Sequence, residues 1–359
     1  MPLMTDARLL PRLLADEDAY LSTLETLVRH ESPSHDADAG DDFATLLSQL
    51  LERDGWTVER LPRDGVGDLV RARLDGADPA DATLLLAHYD TVWPRGTLDA
   101  MPWSRDGDRA AGPGVLDMKA GLATAVHAVR AARAEGDLRG PVTLLVTSDE
   151  EIGSGASRAA IEEEARCHAR VLVLEPARDD GALKTGRKGV ASLEVEVRGV
   201  AAHAGLNPQD GASALRELAH LLLEAEDLAD PDVGTTVTLT VASGGSTGNV
   251  VPESARATLD VRVATLDEAE RVLSALRGYV ARDPRVEVEV RGDLNRPPME
   301  ANAANQALLA EARARLEALG LTAEEAFVGG GSDGNFTSAL GVATLDGLGG
   351  IGGGAHARH

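Results

Sequence analysis

The chain has 359 residues, a formal net charge of −24, 43% hydrophobic and 26% charged residues, and one cysteine. That length exceeds a single core and makes two domains the expectation. The excess of acid speaks against partners such as nucleic acid or an anionic membrane surface. Cys167 alone permits no intrachain disulfide and no Cys-rich zinc site. No signal peptide or 18-residue apolar span is read, so a cytoplasmic location is expected.

Residues 6–30 read as one amphipathic helix, with leucines at Leu10, Leu13, Leu14, Leu21, Leu24 and Leu27. The turn-rich Ser32–Asp38 separates it from a second helix over Asp41–Asp54. Strands are expected at Thr57–Leu61, Asp68–Leu74 and Thr83–Ala87, with a loop over Asp106–Gly114. Then come an Ala-rich helix over Met118–Ala134, a strand at Pro141–Ser148, a helix at Ser157–Ala165 and a strand at Arg170–Leu174. Strands alternating with helices imply an α/β sheet with helical crossovers.

Near Thr185 the pattern changes. Strands at Gly189–Val197, Thr235–Ala242, Glu253–Val263 and Arg285–Val290 are interleaved with helices at Gly211–Glu226 and Leu266–Ala281. This β-α-β-β-α-β order implies an antiparallel sheet with helices on one side, long enough for an inserted domain. From Arg296-Pro-Pro298 the first domain resumes, with a helix at Asn305–Leu319, the loop Gly329-Gly-Gly-Ser-Asp-Gly334 and further glycines over Gly347–Gly354. The expected division is residues 1–186 with 296–359, and 187–295.

The chemistry gathers at strand ends. The apolar strand Leu84–Ala87 delivers His88 and, two residues on, Asp90, and residues two apart share a strand face. A metal-binding His commonly needs a carboxylate to orient its ring. Asp117, Glu150-Glu151 and Glu175 also end apolar segments. Ligands of open α/β sheets bind beyond such ends, and several carboxylates brought together there need cations to hold them. Oxygen and imidazole donors without thiolate suit zinc, cobalt or manganese. His356, in Gly352-Gly-Gly-Ala-His356, completes a two-metal donor count, although its spacing alone fits a tail histidine as well.

These residues lie in segments that resemble the zinc-dependent aminoacylase/carboxypeptidase family, which includes glutamate carboxypeptidase, acetylornithine deacetylase and succinyl-diaminopimelate desuccinylase. The matching segments are His88-Tyr-Asp-Thr-Val92, Gly112–Gly121, Thr147–Gly153, Glu175-Pro176, Ala202-His-Ala-Gly205 and Gly329–Asp333, in family order along nearly the whole chain. The resemblance implies a mixed, mainly parallel sheet with helices on both faces, the zinc-exopeptidase-like catalytic domain. It also implies an inserted α+β ferredoxin-like domain acting as lid and dimerisation module.

By the same resemblance two Zn2+ ions, replaceable by Co2+ or Mn2+, would be held by His88 and Glu175 on one side and Glu151 and His356 on the other, with Asp117 bridging. Asp90 would orient His88. Glu150 would be the general base acting on a metal-bridging water, and His203 would meet the oxyanion, often across a homodimer. Asn249, Arg296 and the backbone at Gly330 and Gly331 would bind the substrate's carboxylate. The implied reaction is cleavage of an amide or peptide bond next to a free carboxylate, in a small N-acyl amino acid or peptide. The Trp93-Pro-Arg-Gly96 stretch resembles the glutamate carboxypeptidase branch more than the desuccinylases, and the alternative is an N-acyl amino acid deacylase such as acetylornithine deacetylase or succinyl-diaminopimelate desuccinylase. Family members usually continue beyond the last histidine ligand, whereas this sequence stops at His359, which competes with His356 for that role. Two other readings are a non-catalytic protein on the same fold and a nucleotide-binding α/β protein. The glycine loops suggest the latter, but they lack the lysine of a phosphate-binding loop.

Overall fold

The computed structural model describes residues 3–357. The chain forms two compact units: one takes the segments up to Gly186, Ala301–Val328 and from Ser332 onward, the other Arg187–Glu300 and Gly329–Gly331.

Among the described residues, the first unit holds a six-stranded sheet in the order Thr57–Leu61, Leu69–Leu74, Val142–Thr147, Thr83–His88, Arg170–Val173, Ala343–Leu345. The first three strands pair antiparallel and the last four run parallel, with Thr147 opposite His88 and Val173 opposite Leu86. The sheet is therefore mixed and mainly parallel, as expected.

Both faces of the sheet are covered, which explains why its central strand reads as an unbroken apolar run. Leu85 and Ala87 pack with Leu27, Phe43 and Leu122 from the helices Glu17–Arg29, Ala37–Arg53 and Ala120–Ala134. Leu84 and Leu86 face the other way, against Ile161 and Ala165 of the helix Arg158–Arg166 and Phe336 of Gly334–Ala339. Each such buried leucine contributes about 1.5–3 kcal/mol.

Several features of the first unit differ from the sequence reading, three of them instructive. The single helix over 6–30 is two, Leu3–Ala15 and Glu17–Arg29, broken at Asp16. Asp16-Glu17-Asp18 places acid at the start of the second helix, where the dipole favours it; the leucine spacing runs on across the break and conceals it. The next helix starts at Ala37, because the Asp36 side chain accepts from Ala39 N at 3.0 Å and caps it there. The strand Ala343–Leu345, too short to show periodicity, adds the far edge of the sheet.

In the second unit the strands Thr236–Gly244, Ser254–Val263, Gly189–Arg198 and Glu287–Arg291 lie in that order, all antiparallel. Ala191, Leu193, Val195 and Val197 alternate onto one face and pack with Leu218 and Leu221 of the helix Ala214–Glu226 and Val272 and Leu276 of Leu266–Arg277. The latter helix ends at Arg277, short of Ala281, and Tyr279, Arg282 and Asp283 beyond it bond to Glu217 instead. Among the described residues no helix is long and apolar enough to cross a membrane.

Candidate metal centre

The three central parallel strands of the first unit carry the donors at their carboxyl ends. His88 closes one strand, Glu150 and Glu151 form a 3-10 turn just past Thr147, and Glu175 follows Val173. Asp117 comes from the segment between Gly114, at φ +68°, and the helix Ala120–Ala134. That helix approaches the Glu175 strand end because residue 121 is glycine: a Cβ there would collide with the Leu174 carbonyl oxygen. The glycine-rich segment docks on the same strand end. Leu348 N donates to Val173 O at 3.2 Å, Gly349 N to Glu175 O at 2.8 Å, and Ala177 N to Gly350 O at 3.0 Å. His356 follows this docked stretch.

The donor atoms converge. His88 Nε2 lies 3.2 Å from Asp117 Oδ1 and 3.5 Å from Glu175 Oε1. His356 Nε2 lies 3.0 Å from Glu151 Oε2 and 3.5 Å from Asp117 Oδ2. Asp117 thus offers one oxygen towards each imidazole. Glu150 approaches the group formed by His88 and Glu175, so proximity alone does not separate a ligand from a base here.

Asp90, 1% exposed, has a wider task than orienting a ring. His88 Nδ1 faces its carbonyl oxygen at 3.0 Å and its Oδ1 at 3.3 Å. Its carboxylate also accepts from Glu150 N and Glu151 N, both at 3.1 Å, and from Ser34 Oγ at 2.7 Å. It therefore holds the backbone of the turn that carries both glutamates.

The electrostatics show what this donor set accommodates. Burial raises the Glu151 carboxyl to about 7. The bond to Asp117 raises the His356 imidazole to about 9. Burial opposes charge on His88, but bonds to Asp117, Asp90 and Glu175 hold its imidazole well above the ordinary value. Asp117 is likewise opposed by burial and is held below the carboxylate range by His356 and His88. Nitrogen and oxygen donors that face one another and satisfy themselves with protons are a set that divalent cations fit, the protons leaving as the metal binds.

The remaining sequence candidates lie in the second unit. His203 is exposed, and its Nδ1 accepts from Gly205 N and Leu206 N, both at 3.1 Å. The neutral ring must therefore carry its proton on Nε2. Asn249 is exposed and its carbonyl accepts from Ala204 N at 2.9 Å, tying it to the His203 turn. Arg296 is buried and donates to Asn295 Oδ1. The carbonyls of Gly330 and Gly331 each accept from Arg187 Nη1 at 3.2 Å. Arg187, buried at the start of the second unit, escaped the sequence reading because nothing local marks an arginine at a strand end as buried. His359 lies outside the described residues.

Residues 84–359 match the sequence profile of peptidase family M20/M25/M40. The chain belongs to that family. Carboxypeptidase G2 of Pseudomonas sp. (strain RS-16) is 33% identical over 348 residues, 95% of this chain and 84% of that protein. Acetylornithine deacetylase of Myxococcus xanthus is 31% identical over 266 residues, 67% of each chain. In structure, the aminopeptidase PepT of Bacillus cereus ATCC 10987 superposes with a TM-score of 0.79 at 20% identity, covering 99% of this chain and 92% of that one. The protein is thus a hydrolase of the metal-dependent M20 peptidase family.

Proposed function

We propose that the protein is a dinuclear zinc hydrolase that cleaves an amide or peptide bond next to a free carboxylate, with glutamate-carboxypeptidase-like specificity. The observation that carries this reading is the Asp117 carboxylate, which offers one oxygen to the His88 side and the other to the His356 side. His88 and Glu175 would hold one ion and Glu151 and His356 the other, with Asp117 shared; Co2+ or Mn2+ would serve in their place. Bound cations acidify water and polarise the scissile carbonyl.

The chain's own residues supply the rest. Asp90 fixes the His88 ring with its Nε2 towards the cluster. Glu150 takes the proton of the attacking water and passes it to the leaving amine. His203, with Nδ1 occupied by two backbone donors, offers Nε2–H to the oxygen on which charge develops. Arg296, Asn249 and the backbone at Gly330 and Gly331 bind the substrate's carboxylate, work suited to a guanidinium fork. A cytoplasmic setting accords with the one cysteine, Cys167, which is exposed and free.

Metal-stripped protein should lose turnover and regain it on addition of two equivalents of Zn2+. Full turnover by the stripped protein would end the reading. A second reading is a deacylase acting on acetylornithine or succinyl-diaminopimelate, favoured by the 31% identity to the Myxococcus enzyme. Turnover on a panel of acyl-glutamates, acetylornithine and succinyl-diaminopimelate separates the two.

We assign residues 187–295 the role of lid and homodimer contact. Mixing inactive His203→Ala with inactive Glu150→Gln protein should then restore part of the activity, through sites that combine an intact His203 and an intact Glu150 from different chains. No recovery in verified heterodimers would remove the trans role.

A further inference from the structure

The Glu150–Glu151 turn is held from two sides, and the second holder lies far away in sequence. Asp333, 3% exposed, accepts from Thr147 Oγ1 at 3.0 Å and from Ser154 Oγ on its other oxygen. Thr147 ends the strand before the turn, and Ser154 follows it; both are fully buried. Ser154 has φ +58°, a conformation that costs a residue with a Cβ and persists only where its surroundings impose it. Within this bracket the chain closes on itself, with Gly153 N donating to Glu150 O at 2.9 Å and Ser154 N to Asp149 O at 2.8 Å. Asp90 grips the amides of Glu150 and Glu151 from the opposite side.

We propose that Asp333 is a positioning residue: through its two hydroxyl partners it fixes where the Glu150 and Glu151 carboxylates stand, and so controls both the rate of hydrolysis and the affinity for the cations. The inference rests on the roles proposed above for those two glutamates. The chemistry of the group supports it. A carboxylate accepts and never donates, so each hydroxyl presents its proton to it; for Thr147 the Ala87 carbonyl oxygen, at 3.4 Å, is a longer second acceptor. An amide of the same shape accepts on one side and donates on the other, so one of the two hydroxyls has to turn from donor to acceptor and the bracket is re-formed on changed terms. Burying a charge is also costlier than burying an amide, so packing alone does not explain an aspartate here.

The test uses the full chain, stripped of metal and titrated with Zn2+, with kcat and KM measured on the acyl-glutamate it cleaves best. Asp333→Asn should lower kcat about 10- to 100-fold with KM little changed, and weaken Zn2+ binding about 10- to 100-fold, as loss of an outer support does. Ser154→Ala should reproduce part of both effects. Combined with Asp333→Asn it should add almost nothing, because the two act through one bond. A folded Asp333→Asn protein with native kcat and native Zn2+ affinity, whatever its melting temperature, overturns the proposal, and so do effects that simply multiply in the double variant. If Asp333→Asn does not fold, Ser154→Ala and Thr147→Val decide by the same two readouts. Glu150→Gln is run alongside. If it is inactive while the Asp333 and Ser154 variants are native, this inference alone falls; if it keeps native turnover, the role of Glu150 falls and the inference with it.

Discussion

Burial opposes charge on Glu217 in the second unit and on Glu151 in the first, and the outcomes are opposite. In the second unit Glu217, 3% exposed, accepts from Tyr279 OH at 2.7 Å, from Arg282 N at 2.8 Å and from Asp283 N at 3.4 Å. Burial opposes its charge, yet these donors outweigh burial and hold it below the usual glutamate range. In the first unit Asp117, Glu151 and Glu175 have the two imidazoles and one another as neighbours, and burial drives Glu151 up to about 7. A buried acid with its own hydrogen-bond donors is part of the scaffold. Acids gathered around a common point, with imidazoles and one another for neighbours, mark a place that favours positive charge.

Glu150→Gln tests this contrast most sharply. The amide keeps the shape but cannot take a proton, so kcat should fall by about 10²–10⁴ while Zn2+ binding, followed by calorimetry, stays near native. Glu217→Gln should leave kcat within about threefold. A large loss of turnover in Glu217→Gln would erase the distinction between scaffold and site.

Chelation comes next in size. A site saturated at a hundred times its dissociation constant contributes about 2.7 kcal/mol. Removing the metal should therefore lower the melting temperature, and Zn2+ should restore it. In Glu217→Gln protein the Zn2+-induced rise should be unchanged; a smaller rise would mean that the two kinds of buried acid are coupled.

Glu217→Gln should itself cost about 1–3 kcal/mol by chemical denaturation, since it turns one acceptor of buried donors into an amide. Its pH dependence has a fixed sign. The folded value is depressed, so the stabilisation is complete above the unfolded glutamate value of about 4.3 and is lost as pH falls through the lower folded value. The variant should flatten the acid limb of the stability curve in that window. Tyr279→Phe should cost least, about 1 kcal/mol, by removing one donor and leaving the two backbone bonds. If it matched Glu217→Gln, the backbone donors would count for nothing.

Asp117 in a loop and His356 after a glycine segment were assigned through the family resemblance, whereas His88, Glu150, Glu151 and Glu175 were legible because they stand where apolar strands stop, and strand ends can be read from local pattern. The β-α-β-β-α-β order of the second unit was legible for the same reason. What escaped had no local mark. The bracket of Asp333 with Thr147 and Ser154 joins residues that only the packed sheet brings together. In the sequence, Asp333 reads merely as the polar end of a glycine loop. The wider grip of Asp90 was hidden because a His-x-Asp pattern suggests one partner, whereas the fold adds two backbone amides from another strand's end. The helix break at Asp16 was missed because heptad-spaced leucines continue across it.

The docked glycine segment has a consequence for the order in which the protein is built. Leu348, Gly349 and Gly350 bond to the strand end at Val173–Ala177, and the edge strand Ala343–Leu345 lies beside Arg170–Val173. In the chain, residues 187–300 come between these partners. On a ribosome adding about 5–20 residues per second, the nascent first unit waits roughly 10–30 s with its sheet edge uncovered and its histidine–carboxylate cluster lacking His356. Its completion therefore follows synthesis of the entire second unit, so a chain stalled or cut between them leaves an open acidic cluster and an unpaired strand edge together.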